Sequence, residues 1–149
     1  MLKVRIIPCL DNIKNKVVKG VNFKNIKVLG DPVYLARKYS DNGADELCML
    51  DIKASHEKRK TFLKTVEAIA KVIDIPLTVG GGVSDIKDIT TLLNAGADKV
   101  SINTTAVLKP NLIKIASLKH GSQCIVVAID GKRYGKKMLV TIKGGREKT

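Results

Sequence analysis

The chain has 149 residues, 44% of them hydrophobic and 28% charged, which is typical of one folded domain and excludes a disordered segment. No run of about 18 apolar residues occurs and the N-terminus lacks a signal-peptide pattern, so the sequence predicts no membrane span and no membrane partner. Lys and Arg number 27 against 14 Asp and Glu, a net charge of +13, but the cations are spread along the chain and aromatic residues make up only 3%, which argues against nucleic acid as a partner.

Short apolar runs alternate with longer amphipathic segments, a pattern that predicts alternating strands and helices. Asp31 followed by Pro32 is typical of a helix start, with Asp as the N-cap and Pro in the first turn. In chain order we predict a strand Arg5–Leu10, a polar loop to Gly30, a helix Asp31–Asn42, a strand Glu46–Asp51, a helix Glu57–Val72, a strand Leu77–Val79, a helix from Ser84 to Asn94, a strand Asp98–Ile102, a helix Pro110–His120, a strand Cys124–Ile129 and a hairpin over Arg133–Ile142 with Gly135 at its turn.

Strands that are apolar throughout and separated by helices predict parallel βαβ units, hence an α/β fold. Gly43-Ala44-Asp45 before the second strand recurs as Gly96-Ala97-Asp98 before the fourth, so a unit of two strands and two helices is duplicated. A duplicated unit favours a (β/α)8 TIM barrel over an open doubly wound sheet. Because such a barrel takes about 250 residues, we expect residues 1–149 to form a single partial domain: an N-terminal half-barrel of four βα units plus strand five.

Two carboxylates follow the first and fifth predicted strands. Asp11 and Asp130 would then lie at the C-terminal ends of barrel strands, where functional residues of this fold are found. Two carboxylates facing one cavity can divide the work of a general acid and a general base. The alternative is structural, since Asp at a strand end often caps the loop that follows.

A glycine run follows the third strand, and Asn103-Thr104 follows the fourth. Gly80, Gly81 and Gly82 would let backbone N–H groups approach an anion, and the positive end of the helix after Ser84 would add to the attraction. This arrangement predicts a phosphate site. A triple glycine can equally be a plain tight turn.

Charged residues begin three of the strands. Strand parity points Arg5 and Lys99 into the barrel, with Glu46 at the same end, although barrel interiors are normally apolar. Inward-facing charges would form a ring around the barrel axis through which a small polar molecule could pass. The alternative is that they lie on the solvated rim, because burying unpaired charges is costly.

The cysteines and histidines offer little support for a metal site. Cys9, Cys48 and Cys124 lie in apolar runs without a Cys-x-x-Cys pair, and His56 and His120 are isolated. We therefore predict buried thiols in a reducing cytoplasm, no metal and no cofactor.

Together these residues resemble the cyclase subunits of imidazole glycerol phosphate synthase, a family of histidine biosynthesis. The resemblance covers essentially the whole chain. Its motifs are modest singly but specific in this order: Arg5-Ile6-Ile7-Pro8-Cys9-Leu10-Asp11, Val17-Val18-Lys19-Gly20, Gly30-Asp31-Pro32, Gly43-Ala44-Asp45-Glu46-Leu47, Leu50-Asp51-Ile52, Thr78-Val79-Gly80-Gly81-Gly82, Ala97-Asp98-Lys99-Val100-Ser101-Ile102-Asn103, Gly121-Ser122-Gln123 and Val126-Val127-Ala128-Ile129-Asp130.

The resemblance implies a TIM barrel that takes ammonia from a glutaminase partner. With it the enzyme cleaves and cyclises a phosphoribulosyl aminoimidazole carboxamide nucleotide to imidazole glycerol phosphate and aminoimidazole carboxamide ribotide. It also implies residue roles. The catalytic acid and base are Asp11 and Asp130. Substrate and phosphate binding falls to Lys19 on a mobile loop and to Gly81, Gly82, Asn103 and Thr104. The ammonia gate is formed by Arg5, Glu46 and Lys99, and Asp98 lies at the glutaminase interface.

The chain departs from this family at two positions near the site and in length. Lys53 stands where Thr is usual, and Gly131 replaces a usual Ala. Strands six to eight and the second phosphate site are absent, so we expect a truncated or split cyclase that pairs with a C-terminal half-barrel or self-associates. The alternatives are the related phosphoribosyl isomerase of the same pathway and a non-catalytic half-barrel that binds a phosphorylated ligand.

Overall fold

The computed structural model describes residues 4–21, 24–54 and 56–149. Its strands are Cys9–Ile13 (β1), Lys16–Val21 (β2), Lys24–Gly30 (β3), Leu47–Asp51 (β4), Leu77–Gly80 (β5), Lys99–Ile102 (β6), Ile125–Val127 (β7), Asp130–Tyr134 (β8), Lys137–Ile142 (β9) and Glu147–Lys148 (β10). Its helices are Pro32–Asp41 (α1), His56–Ala70 (α2), Ile86–Asn94 (α3), Thr104–Leu108 (α4) and Asn111–His120 (α5), with a 3-10 turn at Ser122–Cys124. In the described ranges, none of these helices combines the length and apolar character that crossing a bilayer requires.

The main sheet has the strand order β3-β2-β1-β4-β5-β6-β7, and the five strands from β1 through β4, β5, β6 and β7 run parallel. Each parallel strand pairs with the next one along the chain, with one or two helices between them. A doubly wound sheet would reverse its strand order partway across. The order seen here is that of a barrel wall, and it confirms the predicted α/β fold of the TIM-barrel family.

One face of the sheet packs against the helices and forms the core. Leu47, Met49, Val79 and Val100 are fully buried there, together with helix residues such as Ile89. Because side chains alternate along a strand, the neighbouring positions point to the opposite face. That opposite face, called the polar face below, carries Glu46, Cys48, Thr78, Lys99 and Ser101.

The first strand is displaced from its predicted position. It spans Cys9–Ile13 rather than Arg5–Leu10. Residues 4–8 still run beside β4, since the Asp45 N–H donates to the Ile6 carbonyl (3.0 Å) and the Cys48 N–H to the Pro8 carbonyl (2.9 Å). Pro8 has no N–H to donate, which interrupts the regular ladder at this point.

The predicted polar loop up to Gly30 is wrong, because most of that segment forms a β-hairpin. β2 pairs antiparallel with both β1 and β3, and Val17 and Val18 are buried. Lys14 and Asn15 join β1 to β2 with φ values of 48° and 58°. Positive φ at both central residues is typical of a two-residue type I′ turn. The usual Asn-Gly signature is missing, which concealed the turn in the sequence.

The C-terminal region follows the prediction in part. The fifth parallel strand is shorter than predicted, at Ile125–Val127. A β8–β9 hairpin occupies the predicted position but begins earlier, at Asp130, and Gly135 forms its turn with φ 58°. The short helix α4 was not predicted, and Asp85 rather than Ser84 is the N-cap of α3.

The Gly-Ala-Asp repeat has the same hydrogen-bonding role in both copies. Asp45 accepts the Ile6 N–H at its carboxylate (2.6 Å) and donates its own N–H to the Ile6 carbonyl. Asp98 accepts the Leu77 N–H at its carboxylate (2.8 Å) and donates its N–H to the Leu77 carbonyl (2.9 Å). Each Asp thereby clamps the start of its strand to the preceding strand in the sheet.

We predict that Asp98→Ala lowers the free energy of unfolding by about 1–2 kcal/mol, because it leaves the N–H of buried Leu77 without its acceptor. Urea denaturation measures the change. Asp41→Ala is the matched control, since Asp41 is exposed and pairs with Arg37 one helical turn away, and it should shift stability by no more than about 0.5 kcal/mol. Equal effects of the two substitutions would contradict the clamp.

Candidate functional site

The N-terminal end of the parallel strands holds a buried carboxylate between two cations. Glu46 is 5% exposed, and its two oxygens have separate partners. Lys99 Nζ donates to Oε2 at 2.7 Å, and Arg5 Nη1 donates to Oε1. The structure therefore brings together the three residues predicted to form a charged ring.

Burial differs sharply among these three side chains. The Glu46 side chain is 7% exposed and that of Lys99 27%, whereas the Arg5 side chain is 63% exposed. The solvated-rim alternative therefore describes Arg5 but not Glu46. A carboxylate this buried needs compensating charge, because desolvation costs several kcal/mol per ion. The two cations and one carboxylate of this cluster together carry one net positive charge.

Asp11 lies toward the other end of the polar face. It is within β1, level with Leu50 of β4 and with Val18 of the hairpin, and it is half-buried. Glu46 precedes Leu50 by four residues, so at about 3.3 Å per residue the two levels are roughly 13 Å apart along the strands. Asp11 therefore does not end its strand as predicted, because β1 continues into the hairpin.

Asp130 is displaced from the end of the fifth strand. β7 ends at Val127, and Asp130 is the first residue of β8, paired with Thr141. The Thr141 hydroxyl donates to the Asp130 carbonyl at 3.2 Å. Between the strands, the Asn103 side-chain amide donates to the Ala128 carbonyl at 3.0 Å. The prediction that Asp130 follows strand five is correct in order, while its backbone belongs to the second sheet.

The glycine run turns the chain sharply after β5. Gly81 and Gly82 have φ values of +100° and +63°, which L side chains rarely adopt. A Cβ at Gly81 would also overlap the backbone of Asp51. Glycine is therefore required at Gly81 to bring this turn against the end of β4.

Two carboxylates lie at the start of helix α3, where the sequence predicts part of an anion site. The Asp85 carboxylate caps the helix by accepting the Asp88 N–H at 2.9 Å. The Asp88 carboxylate accepts both the N–H and the hydroxyl of Ser84. Two carboxylates offset the positive helix end, so a phosphate site here depends on the glycine turn and on β6 rather than on α3.

Asn103 and Thr104 follow β6 as predicted and are already engaged with neighbouring segments. The Thr104 hydroxyl lies 3.3 Å from the Asn103 side-chain oxygen and accepts the Lys143 N–H at 3.0 Å. The β9 end of the hairpin is thereby fastened to the start of α4. Thr104 therefore has two preset contacts that fix its hydroxyl.

Lys19 does not lie on a loop. It is an exposed residue of β2, paired with Lys27 of β3, and the register shifts between Lys19 and Val21. The loop position implied by the resemblance is therefore wrong for this chain. Three of the six residues of β2 are valine, a β-branched type that favours strands, and this signal was overlooked.

Asp98 borders a cavity of about 310 Å³ at the N-terminal end of β5. The cavity is at the same end of the sheet as the Arg5–Glu46–Lys99 cluster, and Asp98 directly precedes Lys99. Its lining residues are Ala70, Ile73, Asp74, Ile75, Pro76, Leu77, Gly96 and Asp98. Asp98 is exposed, and one of its carboxylate oxygens accepts the Leu77 N–H.

Lys53 and Gly131, the two residues that depart from the resembling family, lie where the surrounding structure accommodates either side chain. Lys53 is exposed and its N–H donates to the Asp51 side chain at 3.0 Å. A Cβ at Gly131 would meet only Met138, at an ordinary contact distance of 3.5 Å. Neither position forces a change of the surrounding backbone.

Sequence reasoning missed a pair of thiols on the polar face. Cys9 of β1 and Cys48 of β4 are direct register partners, and Cys9 is exposed rather than buried as predicted. Burial raises the pKa of the Cys48 thiol to about 12, with further contributions from Cys9 and from the charge of Asp11. The parity of the two strands carried the signal that both thiols share a face.

Across residues 4–21, 24–54 and 56–149, no three His, Cys, Asp or Glu side chains are grouped so as to hold a metal ion.

The sequence matches the family model described as "Histidine biosynthesis protein" over residues 5–149. It is 57% identical to imidazole glycerol phosphate synthase subunit HisF of Dictyoglomus turgidum over 100% of this chain and 60% of that protein. The subunits HisF of an Exiguobacterium species and of Endomicrobium trichonymphae are 54% and 56% identical, with 58% and 56% of their lengths covered. The chain thus spans less than two thirds of the length of the curated relatives it matches.

We predict that Glu46→Ala lowers the free energy of unfolding by about 2 kcal/mol, because it leaves the half-buried Lys99 ammonium without its partner. Adding Lys99→Met should recover part of the loss. Urea denaturation of both variants measures it. Glu147→Ala is the control, since its 2.7 Å ion pair with Lys143 is about half exposed and should contribute no more than about 0.5 kcal/mol. A Glu46→Ala loss as small as that of the control would contradict the buried role.

Proposed function

Because this chain belongs to the histidine biosynthesis protein family, we propose that it contributes to the cyclase reaction of imidazole glycerol phosphate synthase. In this reaction ammonia cleaves and cyclises the phosphoribulosyl aminoimidazole carboxamide nucleotide, giving imidazole glycerol phosphate and aminoimidazole carboxamide ribotide. One observation carries the proposal. A buried, doubly paired Glu46 lies at one end of the polar face, and Asp11 lies roughly 13 Å further along it.

The charged end of the polar face is suited to admitting neutral ammonia. Both oxygens of Glu46 already accept hydrogen bonds from Arg5 and Lys99. The carboxylate therefore has little residual attraction for an ammonium ion, and the two cations repel one. Ammonia carries no charge and is free of this repulsion. We infer that the three residues act as a gate for ammonia.

Asp11 and Asp130 are the two carboxylates that we assign to acid–base chemistry. Attack by ammonia on a carbon centre leaves a proton on nitrogen that a base must remove, and ring closure with bond cleavage needs a proton at the leaving group. We assign these two steps to this pair, with Asp11 as the leading candidate because it lies on the polar face of the parallel sheet, in the same row as Glu46.

The phosphate of the substrate is assigned to the turn after β5 and the start of α4. Gly81 and Gly82 have no side chains to keep an anion from the backbone N–H groups. Asn103 and Thr104 supply an amide and a hydroxyl whose positions are fixed by hydrogen bonds to Ala128 and Lys143. Lys19 is exposed on β2 and carries a charge suited to a phosphate ester.

A glutaminase is the proposed source of ammonia. Its docking surface would be the N-terminal end of the parallel strands, where the gate and the 310 Å³ cavity lie together. Asp98 lines this cavity, is exposed, and directly precedes the gate residue Lys99. Its charge is therefore placed to meet a cationic group on the partner.

We predict ammonia-dependent turnover of the ribulosyl substrate by this chain, tested alone and mixed with the C-terminal part of a relative's cyclase subunit. Asp11→Asn should lower kcat by about 100-fold or more, because the amide cannot accept the proton. Asp41→Asn, on the exposed side of α1, should leave the rate unchanged.

Two results would contradict the assignment. One is an Asp11→Asn rate equal to that of the wild type. The other is the absence of turnover both alone and in the mixture while the folded chain still binds the substrate, which would identify a non-catalytic protein that binds a phosphorylated ligand.

We predict that Asp98→Asn weakens binding of the glutaminase subunit about tenfold while leaving stability unchanged. The amide oxygen can still accept the Leu77 N–H, so the substitution removes the charge but keeps the clamp. Isothermal titration calorimetry with the glutaminase subunit of a relative measures the affinity, and Asp41→Asn is the charge-matched control. Unchanged affinity of Asp98→Asn would remove Asp98 from the proposed interface.

A further inference from the structure

Cys9 and Cys48 lie side by side on neighbouring parallel strands. They are register partners in the β1–β4 pair, and the core residues Leu10 and Met49 that follow them face the helices. Both thiols therefore point to the polar face. Neighbouring strands are about 4.8 Å apart, which falls inside the range of Cα separations that disulfides span, about 4.4–6.8 Å.

The two thiols differ in their access to solvent. Both are free thiols, but Cys9 is exposed whereas Cys48 is half-buried. Burial, followed by the effects of Cys9 and of the Asp11 charge, raises the pKa of Cys48 to about 12. Cys48 is therefore a protonated thiol at neutral pH, and a reagent in solution reaches Cys9 first.

We propose that Cys9 and Cys48 form a redox-active dithiol site that a small disulfide such as glutathione disulfide oxidises to an intrachain disulfide. The Cys9 sulfur, after releasing its proton to solvent, attacks one sulfur of the oxidant. The oxidant's S–S bond breaks, a mixed disulfide forms on Cys9, and one glutathione leaves as its thiol.

The second step closes the bond within the chain. The Cys48 thiol gives its proton to solvent, and its sulfur attacks the Cys9 sulfur. The mixed disulfide breaks, the second glutathione leaves, and the Cys9–Cys48 bond forms. Two electrons pass from the protein thiols to the oxidant, which is reduced to two thiols. Little strand movement is required, because β1 and β4 are already hydrogen-bonded at this level.

Cys124, the last residue of the 3-10 turn before β7, provides a control. The register runs from Cys48 to Thr78, from Thr78 to Lys99, and from Lys99 to the residue before Ile125. Cys124 is therefore three strands away from Cys48, roughly 14 Å along the sheet. This separation is at least twice what a disulfide can bridge.

The test treats the wild-type chain, at low micromolar concentration, with excess glutathione disulfide and maps the cysteines by mass spectrometry without reduction. We expect a peptide containing Cys9 joined to a peptide containing Cys48, with the link reversed by dithiothreitol. Cys48→Ser should stop at a glutathione adduct on Cys9. Cys124→Ser should form the same Cys9–Cys48 link as the wild type.

Three outcomes would overturn the site: a stable glutathione adduct on wild-type Cys9 without closure, a link that includes Cys124, or links only between chains. The wild-type map decides between them even if a serine variant fails to fold. None of these readouts depends on cyclase activity, so failure here leaves the proposed function standing, and the reverse also holds.

Discussion

The clamp made by the Asp of each Gly-Ala-Asp repeat is the constraint on which the N-terminal end of the sheet depends. Parallel strands are joined by helices, so no turn fixes their register as a hairpin turn does. Asp45 and Asp98 supply that register by two hydrogen bonds each to the preceding strand. The residue after the Asp is Glu46 in one copy and Lys99 in the other, and these two form a 2.7 Å ion pair. The two copies of the repeat therefore carry opposite charges at equivalent positions, each directly after the Asp that fixes the register.

The polar face can carry small polar side chains because the opposite face already provides the apolar packing against the helices. Large apolar residues such as Met49, Val79 and Val100 bury the sheet against the helices. The polar face needs no such bulk for stability, and between the charged end and Asp11 it carries the small side chains of Thr78 and Ser101. Small polar residues leave room for a small polar molecule and offer it hydrogen bonds. This is the arrangement that the proposed passage of ammonia requires.

The sequence predicted the elements whose signals are local and missed those that depend on pairing. The Asp31-Pro32 start of α1 is readable because the cap is a side-chain hydrogen bond to nearby N–H groups. The β1–β2 hairpin was missed because its turn, Lys14-Asn15, lacks glycine and because β2 carries two lysines among its six residues. The cluster of Arg5, Glu46 and Lys99 was predicted from strand starts and strand parity, and both signals tolerate small errors in the strand ends. The position of Asp130 was not predicted correctly, because a second sheet begins at that residue and no local sequence signal marks the change.

The thiol pair lies in one row of side chains with the buried carboxylate Glu46 and with Asp11. Along β4 the polar face carries Glu46, then Cys48, then Leu50 beside Asp11. The Cys9–Cys48 pair thus lies midway between the buried carboxylate and the proposed general base. A disulfide there would remove two thiol protons and bind β1 to β4 just ahead of Asp11. Because Asp11 also raises the pKa of Cys48, the charge of that carboxylate and the state of the thiols are linked by direct electrostatics. The most exposed thiol of this row is therefore also the point at which an oxidant would first act on the face assigned to the chemistry.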